Sequence, residues 1–216
     1  MRCFRLFLTL AIGMILLAAA PARPDTPYNV LARLAAAWNS LHSYTCIWTV
    51  HEAKGTKVQD RVYHIFFQKP LKTRAEVIAG DGKGSVAVWE GGDRLRGHQG
   101  SILSLLKLNL NINNRLAVSL RGATIAQVNM GWLLSHLLSI GAKNFAFSQN
   151  GTSSILSAHV QYPPPNDDIV EEVYVFAPSG LPIEGSQFGD NHVLLKHVVY
   201  SDYQLNVTLP TTTWQI

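Results

Sequence analysis

With 216 residues, 47% of them hydrophobic, the chain is long enough for one domain with a substantial core. Lys and Arg number 18 against 14 Asp and Glu, a net charge of +4 with no dense basic cluster, which excludes the electrostatic footprint of a nucleic-acid binder. Two Cys are too few for a disulfide-built scaffold.

The N-terminus has the three parts of an export signal. Arg2 and Arg5 precede an uncharged apolar run from Leu6 to Ala19, and Ala20-Pro21-Ala22 is a small-x-small cleavage site. The run falls short of the roughly 20 residues a spanning helix needs. The sequence therefore predicts a signal peptide over residues 1–22, cut after Ala22, and a single exported, periplasmic domain over 23–216. Losing Arg2 and Arg5 lowers the net charge from +4 to +2. Cys3 leaves with the signal. Cys46 remains alone in the strand-like Tyr44-Thr45-Cys46-Ile47-Trp48, with no base partner in view, and reads as a buried, inert thiol.

Thr26-Pro27 predicts a helix start, a capping side chain followed by Pro at the first helical position. Leu31, Leu34, Ala35, Trp38 and Leu41 follow at helical spacing as one apolar stripe. Five strand-like segments come next: Tyr44–Ala53, Arg61–Gln68, Thr73–Ala79, Ser85–Glu90 and Arg94–His98. Gly55, Lys69-Pro70, Gly80-Asp81-Gly82 and Gly91-Gly92-Asp93 break them, which suits an antiparallel meander. Ser101–Asn114 is apolar but irregular and Asn-rich, and reads as a short helix and a loop. Thr124–Ile140 predicts a second helix stopped by Gly141. Its apolar arc holds Ala126, Met130, Leu133, Leu134, Leu137 and Leu138, with Asn129, Trp132, Ser135, His136 and Ser139 opposite. A second meander follows over Ser153–Tyr162, Ile169–Ala177, Leu181–Gln187 and His192–Leu205. In its first strand Leu156, Ala158 and Val160 alternate with Ser157, His159 and Gln161.

Helices segregated beside an antiparallel sheet make an α+β fold. Some strands are apolar on both faces: Val62, His64 and Phe66 on one, Tyr63, Ile65 and Phe67 on the other. A single sheet with one wet face has no need of this. A strongly curved sheet wrapped around helices, or one enclosing an apolar ligand, does.

Three segments resemble the LolA/LolB/LppX superfamily of periplasmic lipid and lipoprotein carriers. The first is the helix running directly into a strand, from Leu31-Ala32-Arg33-Leu34 through Leu41-His42-Ser43-Tyr44. The second is the turn Pro178-Ser179-Gly180-Leu181-Pro182-Ile183. The third is the closing strand and tail from Tyr200 to Pro210, with Trp214 in the place where the family usually has Phe. The resemblance implies an incomplete antiparallel β-barrel closed by helices, with an apolar cavity between sheet and helices. It also implies a lipid or acylated protein as partner, and transient contact with the cell-envelope membrane or its proteins.

Catalytic and metal signatures are not found. The eight His form no completed ligand set, and neither a His-Glu-x-x-His helix nor a Gly-x-Ser-x-Gly elbow occurs. Gly80–Gly84 lacks the ending of a phosphate loop and reads as a hairpin turn. Asp167-Asp168 and Glu171-Glu172 read as a solvated acidic run. The expectation is a non-enzymatic chain with no cofactor or metal. Trp48, Phe66, Trp89, Leu133, Leu137 and Val175 are the candidates to line the cavity, although the sequence fits Trp48 and Trp89 equally well as ordinary core. Two functions remain open: a periplasmic carrier or sensor holding a lipid, acyl chain or lipoprotein, and a cell-envelope protein–protein adaptor whose curved sheet is filled by its own side chains.

Overall fold

A computed structural model describes residues 25–100 and 105–216. The predicted signal peptide and its cleavage site lie outside the described residues, as do positions 101–104 of the irregular segment. No described helix is long and apolar enough to cross a membrane.

Helix α1 (Pro27–Ser40) begins where the capping signal places it: the Thr26 side chain accepts the Asn29 N–H at 3.3 Å. Its buried stripe is Val30, Leu31 and Leu34. Just before the cap, Asp25 grips Arg33 through both carboxylate oxygens, at 2.9 and 2.6 Å, and accepts the Ser154 hydroxyl at 3.0 Å. The Arg33 guanidinium holds the Asp25 carboxyl down to about pKa 2. This pair fastens the start of the helix to the far half of the sheet.

Eleven antiparallel strands form one open sheet. They are β1 (Ser43–Lys54), β2 (Lys57–Gln68), β3 (Lys72–Gly80), β4 (Val86–Trp89), β5 (Arg94–His98), β6 (Leu108–Asn111), β7 (Ala146–Asn150), β8 (Ser153–His159), β9 (Glu171–Phe176), β10 (Pro182–Gly189) and β11 (Val193–Leu205). Their order is β6-β5-β4-β3-β2-β1-β11-β10-β9-β8-β7. The two meanders thus join through the long central pair β1–β11, where Trp48 faces Tyr200 and Val50 faces Val198. Register shifts interrupt the β1–β11, β2–β3, β9–β10 and β10–β11 pairings. Each shift adds local twist and helps the sheet to coil.

The expected architecture is present, an α+β half-barrel that does not close. Two details differ from the sequence reading. The irregular segment after β5 contains edge strand β6, and the opposite edge strand, β7, had no clear alternation to announce it. The second helix is also divided. A 3₁₀ turn (Ile125–Gln127) precedes helix α2 (Met130–Ile140), because Asn129 leaves the helical conformation to cap it. The Asn129 side chain accepts the Trp132 N–H at 2.8 Å and donates to the Ala126 carbonyl at 2.9 Å, bridging the break. Gly141 ends α2 as predicted, at φ 88°.

The helices cover only part of the concave face. The main core joins α1 and α2 to β8 and β9 through Leu31, Leu34, Leu134, Leu137, Leu156 and Phe176. A second cluster gathers Leu41, Tyr44, Cys46, Ile65, Phe67 and Met130 under the helix crossing. There Gly131 passes so close to Trp38 that an added Cβ would lie 2.5 Å from the indole. Cys46 is buried, and burial pushes its thiol up to about pKa 12 despite the Trp48 N–H donated to it at 3.0 Å. The C-terminal turn (Thr211–Trp214) is held to strands β3 and β5 from outside, by Arg74 and Arg96 donating to the Thr213, Trp214 and Gln215 carbonyls.

Leu137 is fully buried between the helices and the sheet, whereas Leu138 next to it is 57% exposed. Leu137→Ala is expected to cost about 2–5 kcal/mol, and Leu138→Ala no more than about 0.5 kcal/mol. Urea unfolding with an unchanged m-value checks both, and equal costs would contradict this account of the core.

Candidate functional site

Inward-facing residues of the central strands follow directly from the pairing. They are Tyr44, Trp48, Val50 and Glu52 on β1, Tyr63 on β2, Ala75 and Val77 on β3, and Lys196, Val198 and Tyr200 on β11. Neither helix packs down onto most of them. Two cavities remain on the concave face. The smaller, about 300 Å³, lies beside α2 and is lined by Tyr44, Met130, Leu133, Tyr174, Tyr200 and Tyr203 among others. The larger, about 560 Å³, lies over β2–β5 under the segment that leads from β6 to α2. Tyr63, Val77, Val86, Leu95, Leu110 and Ile125 supply much of its apolar wall. Trp48, Val128, Lys196 and Val198 border both cavities.

Two buried carboxylates stand in this wall, and each is fully engaged. Glu172 on β9 has no exposed surface. It accepts from Gln187 at 2.8 Å and from the Tyr174 hydroxyl at 3.0 Å, and it meets His136 Nε2 of α2 at 2.8 Å. Burial raises its pKa, but the His136 contact and the Gln187 and Tyr174 hydrogen bonds outweigh this and leave it below the ordinary glutamate value. Trp132 stacks on the His136 ring at 5.0 Å, nearly parallel. Glu52 on β1 pairs with Lys196 at 3.1 Å and accepts the Ser119 hydroxyl at 3.0 Å and the Arg121 N–H at 3.2 Å. The Arg121 side chain, itself buried, donates to the Ala53 carbonyl at 2.8 Å and to Asp168 at 2.6 Å. Charge pairing of this kind offsets the cost of burial, and it ties the loop before α2 to the sheet on both sides.

Of the six predicted cavity residues, Trp48 and Leu133 line a cavity. Trp48 borders both and stacks edge-on against Tyr200 at 5.0 Å. Leu137 packs into the core between the helices. Trp89 packs with Leu95 and Ile125 at the edge of the larger cavity and donates its indole N–H to the Gly92 carbonyl at 2.9 Å. Phe66 lies on the outer face, where it packs against the His64 ring, and Val175 alternates with the inward-facing Tyr174 and Phe176. These four line neither cavity.

Along α2 the apolar arc is divided: Leu134 and Leu137 pack into the core, Met130 and Leu133 border the smaller cavity together with Trp132 and His136 of the less apolar edge, and Leu138 is exposed. Glu172 does not belong to a solvated acidic run. The signal for this was in its own strand, where Glu172, Tyr174 and Phe176 alternate inward while Glu171 does not. Among the described residues no three His, Cys, Asp or Glu side chains are grouped to hold a metal ion.

The Glu172 cluster has a consequence for stability. Because its folded pKa is depressed, the stabilisation is present above the unfolded value of about 4.3 and drains away as pH falls from there through the lower folded value. Glu172→Gln is expected to flatten this acid limb in thermal melts across pH. His136→Ala, which strips a partner from a buried charge, is expected to cost about 3 kcal/mol near neutral pH. A wild-type acid limb that survives Glu172→Gln unchanged would assign it to other carboxylates.

No family model matches the chain, and no curated protein matches it in sequence. Solved structures do resemble it. An uncharacterized conserved protein from Thermus thermophilus is 8% identical over 88% of this chain and 92% of its own, with a TM-score of 0.52. MucB is 14% identical, with a TM-score of 0.51 over 88% of this chain, which spans 62% of MucB. Lipoprotein LppX of Mycobacterium tuberculosis is 12% identical over 84% of this chain and 97% of its own, with a TM-score of 0.48. What this chain shares with the Thermus thermophilus protein and with MucB is the fold, an open antiparallel sheet with helices across its concave face.

Proposed function

We propose that the chain is an exported, periplasmic carrier or sensor that holds an acyl chain, from a lipid or an acylated protein, on the concave face of its half-barrel. The observation that carries this is the pair of cavities, about 300 and 560 Å³, separated by Trp48, Val128 and Val198 and walled largely by apolar side chains. A domain that served only as a protein adaptor would be expected to fill such space with its own residues. The signal-like N-terminus supports export, and the fold supports a role among envelope proteins.

Binding here is driven by removing methylenes from water. Each one buried contributes about 0.8 kcal/mol, close to fourfold in affinity. Affinity for a series of saturated acyl chains is therefore expected to rise about fourfold per added methylene until the chain outgrows the larger cavity. Trp48, which borders both cavities, reports it by fluorescence. Ala75→Trp, which fills the larger cavity from β3, is expected to abolish binding while leaving the melting temperature close to wild type. Organic extraction of protein purified from its native envelope, followed by mass spectrometry, is expected to yield a stoichiometric lipid. A clean protein with no chain-length dependence would favour the adaptor reading instead.

Export has its own test. Protein recovered from the native envelope is expected to begin at Arg23, and N-terminal sequencing that finds Met1 retained would end that part of the reading.

A further inference from the structure

The larger cavity is not electrically uniform. Three cations line it, Arg61, Lys83 and Lys196, against one carboxylate, Glu52. Lys196 is paired with Glu52, which leaves Arg61 and Lys83. Neither takes part in an ion pair among the described residues.

Their placement is specific. Arg61 on β2 donates through Nε to the main-chain carbonyl of Asp81 at 2.9 Å and through Nη1 to the Tyr63 hydroxyl at 3.2 Å. The guanidinium is thus fixed beside the β3–β4 turn by neutral acceptors, outside any ion pair. Lys83 stands in that same turn. The two acids nearest in sequence form no ion pair with either cation. Asp60 meets His51 at 2.8 Å, and Asp81 uses its carboxylate on the Asp60 N–H at 3.0 Å. A Cβ added at Gly82, next to Lys83 in the chain, would lie in ordinary contact with Arg61 Nη2, 3.7 Å away, which sets the guanidinium against the turn. Gly82 also has φ +75°, a conformation that shapes the turn around the cations. Behind them the wall turns apolar, through Val50, Tyr63, Ala75 and Val77.

We infer that the ligand of the larger cavity is an anionic amphiphile, with its acyl or alkyl chain along β1–β3 and its carboxylate or phosphate head between Arg61 and Lys83 at the β3–β4 turn. This rests on the carrier reading above and adds the chemistry of the head group. Two cations outside any ion pair supply charge-assisted hydrogen bonds to such a head. The Arg61 guanidinium presents a planar fork suited to either oxyanion. The site also gives a carrier a polarity, since the head fixes which end of the ligand lies at the turn.

The test compares chains of one length with three heads, dodecanoate, dodecyl phosphate and dodecanol, on the mature protein by Trp fluorescence at low and high ionic strength. Both anions are expected to bind about tenfold more tightly than dodecanol at low salt, with the advantage shrinking as salt rises. In the Arg61→Gln/Lys83→Gln variant that advantage is expected to vanish while dodecanol binds as before. Lys83→Gln alone, a change at an exposed turn that makes no ion pair, is expected to lose part of it in a protein whose folding is unaffected. A stronger preference for the phosphate than the carboxylate would assign the site to phosphate-headed lipids, and the reverse to free fatty acids. Equal affinity for all three heads overturns the head-group inference and leaves the carrier reading standing. Loss of dodecanol binding in Lys83→Gln also overturns it, because shape rather than charge would then be at work. No binding of any of the three removes the carrier reading itself.

Discussion

The concave face of an eleven-stranded sheet presents more inward-facing side chains than two helices of fourteen and eleven residues can cover. The rest of the structure follows from this mismatch of areas. Both helices settle at the β8–β9 end, where Leu31, Leu34, Leu134 and Leu137 make a close-packed core with Leu156 and Phe176. The central strands β1, β2 and β11 are left with apolar side chains and no helix to bury them. Curling the sheet shares that surface among its own strands. What curling cannot cover becomes cavity wall.

A half-covered chamber must also control its polar groups. Glu52 and Glu172 are carried inward by strand alternation, and each is satisfied by neighbours from several elements. Both clusters involve the segment that crosses the opening: Ser119 and Arg121 in one, His136 in the other. These two carboxylates thus anchor the cover of the chamber to its wall. An apolar replacement could stabilise either position in isolation, but it would release the cover from the sheet.

The strands were legible wherever alternation was clean. Ser153–His159 shows the expected pattern, with Leu156 and Ala158 buried and Ser157 and His159 outside. β6 and β7 were not legible, being four and five residues long at the two edges, where little burial imposes a pattern. The helix stripe of α1 could be read directly. The break before α2 could not, because Asn129 at a helical spacing looks like any polar residue until its cap geometry is known. The candidate cavity was harder for a physical reason. Phe66 and Phe67 are equally apolar neighbours on β2, and only the register with β1 decides that Phe67 faces in. Where both faces of a strand are apolar, periodicity gives the two sets but not which set is inside. Leu133 and Leu137 pose the same problem on a helix. They share an arc, yet one borders the cavity and the other is sealed in the core.

The strand order has one further consequence. β6 and β7 are consecutive in the chain but form opposite edges of the sheet. The segment between them, which includes α2, therefore runs from one rim of the half-barrel to the other, like a strap fastened at both ends. Between the rims it is held to the inner strands, by Ser119 and Arg121 to Glu52 and by His136 to Glu172. Any spreading of the rims pulls on the strap from both sides, and any object lifted into the chamber pushes against it from below. Width of the gap and position of the helix become a single mechanical coordinate, set by how far the sheet uncoils.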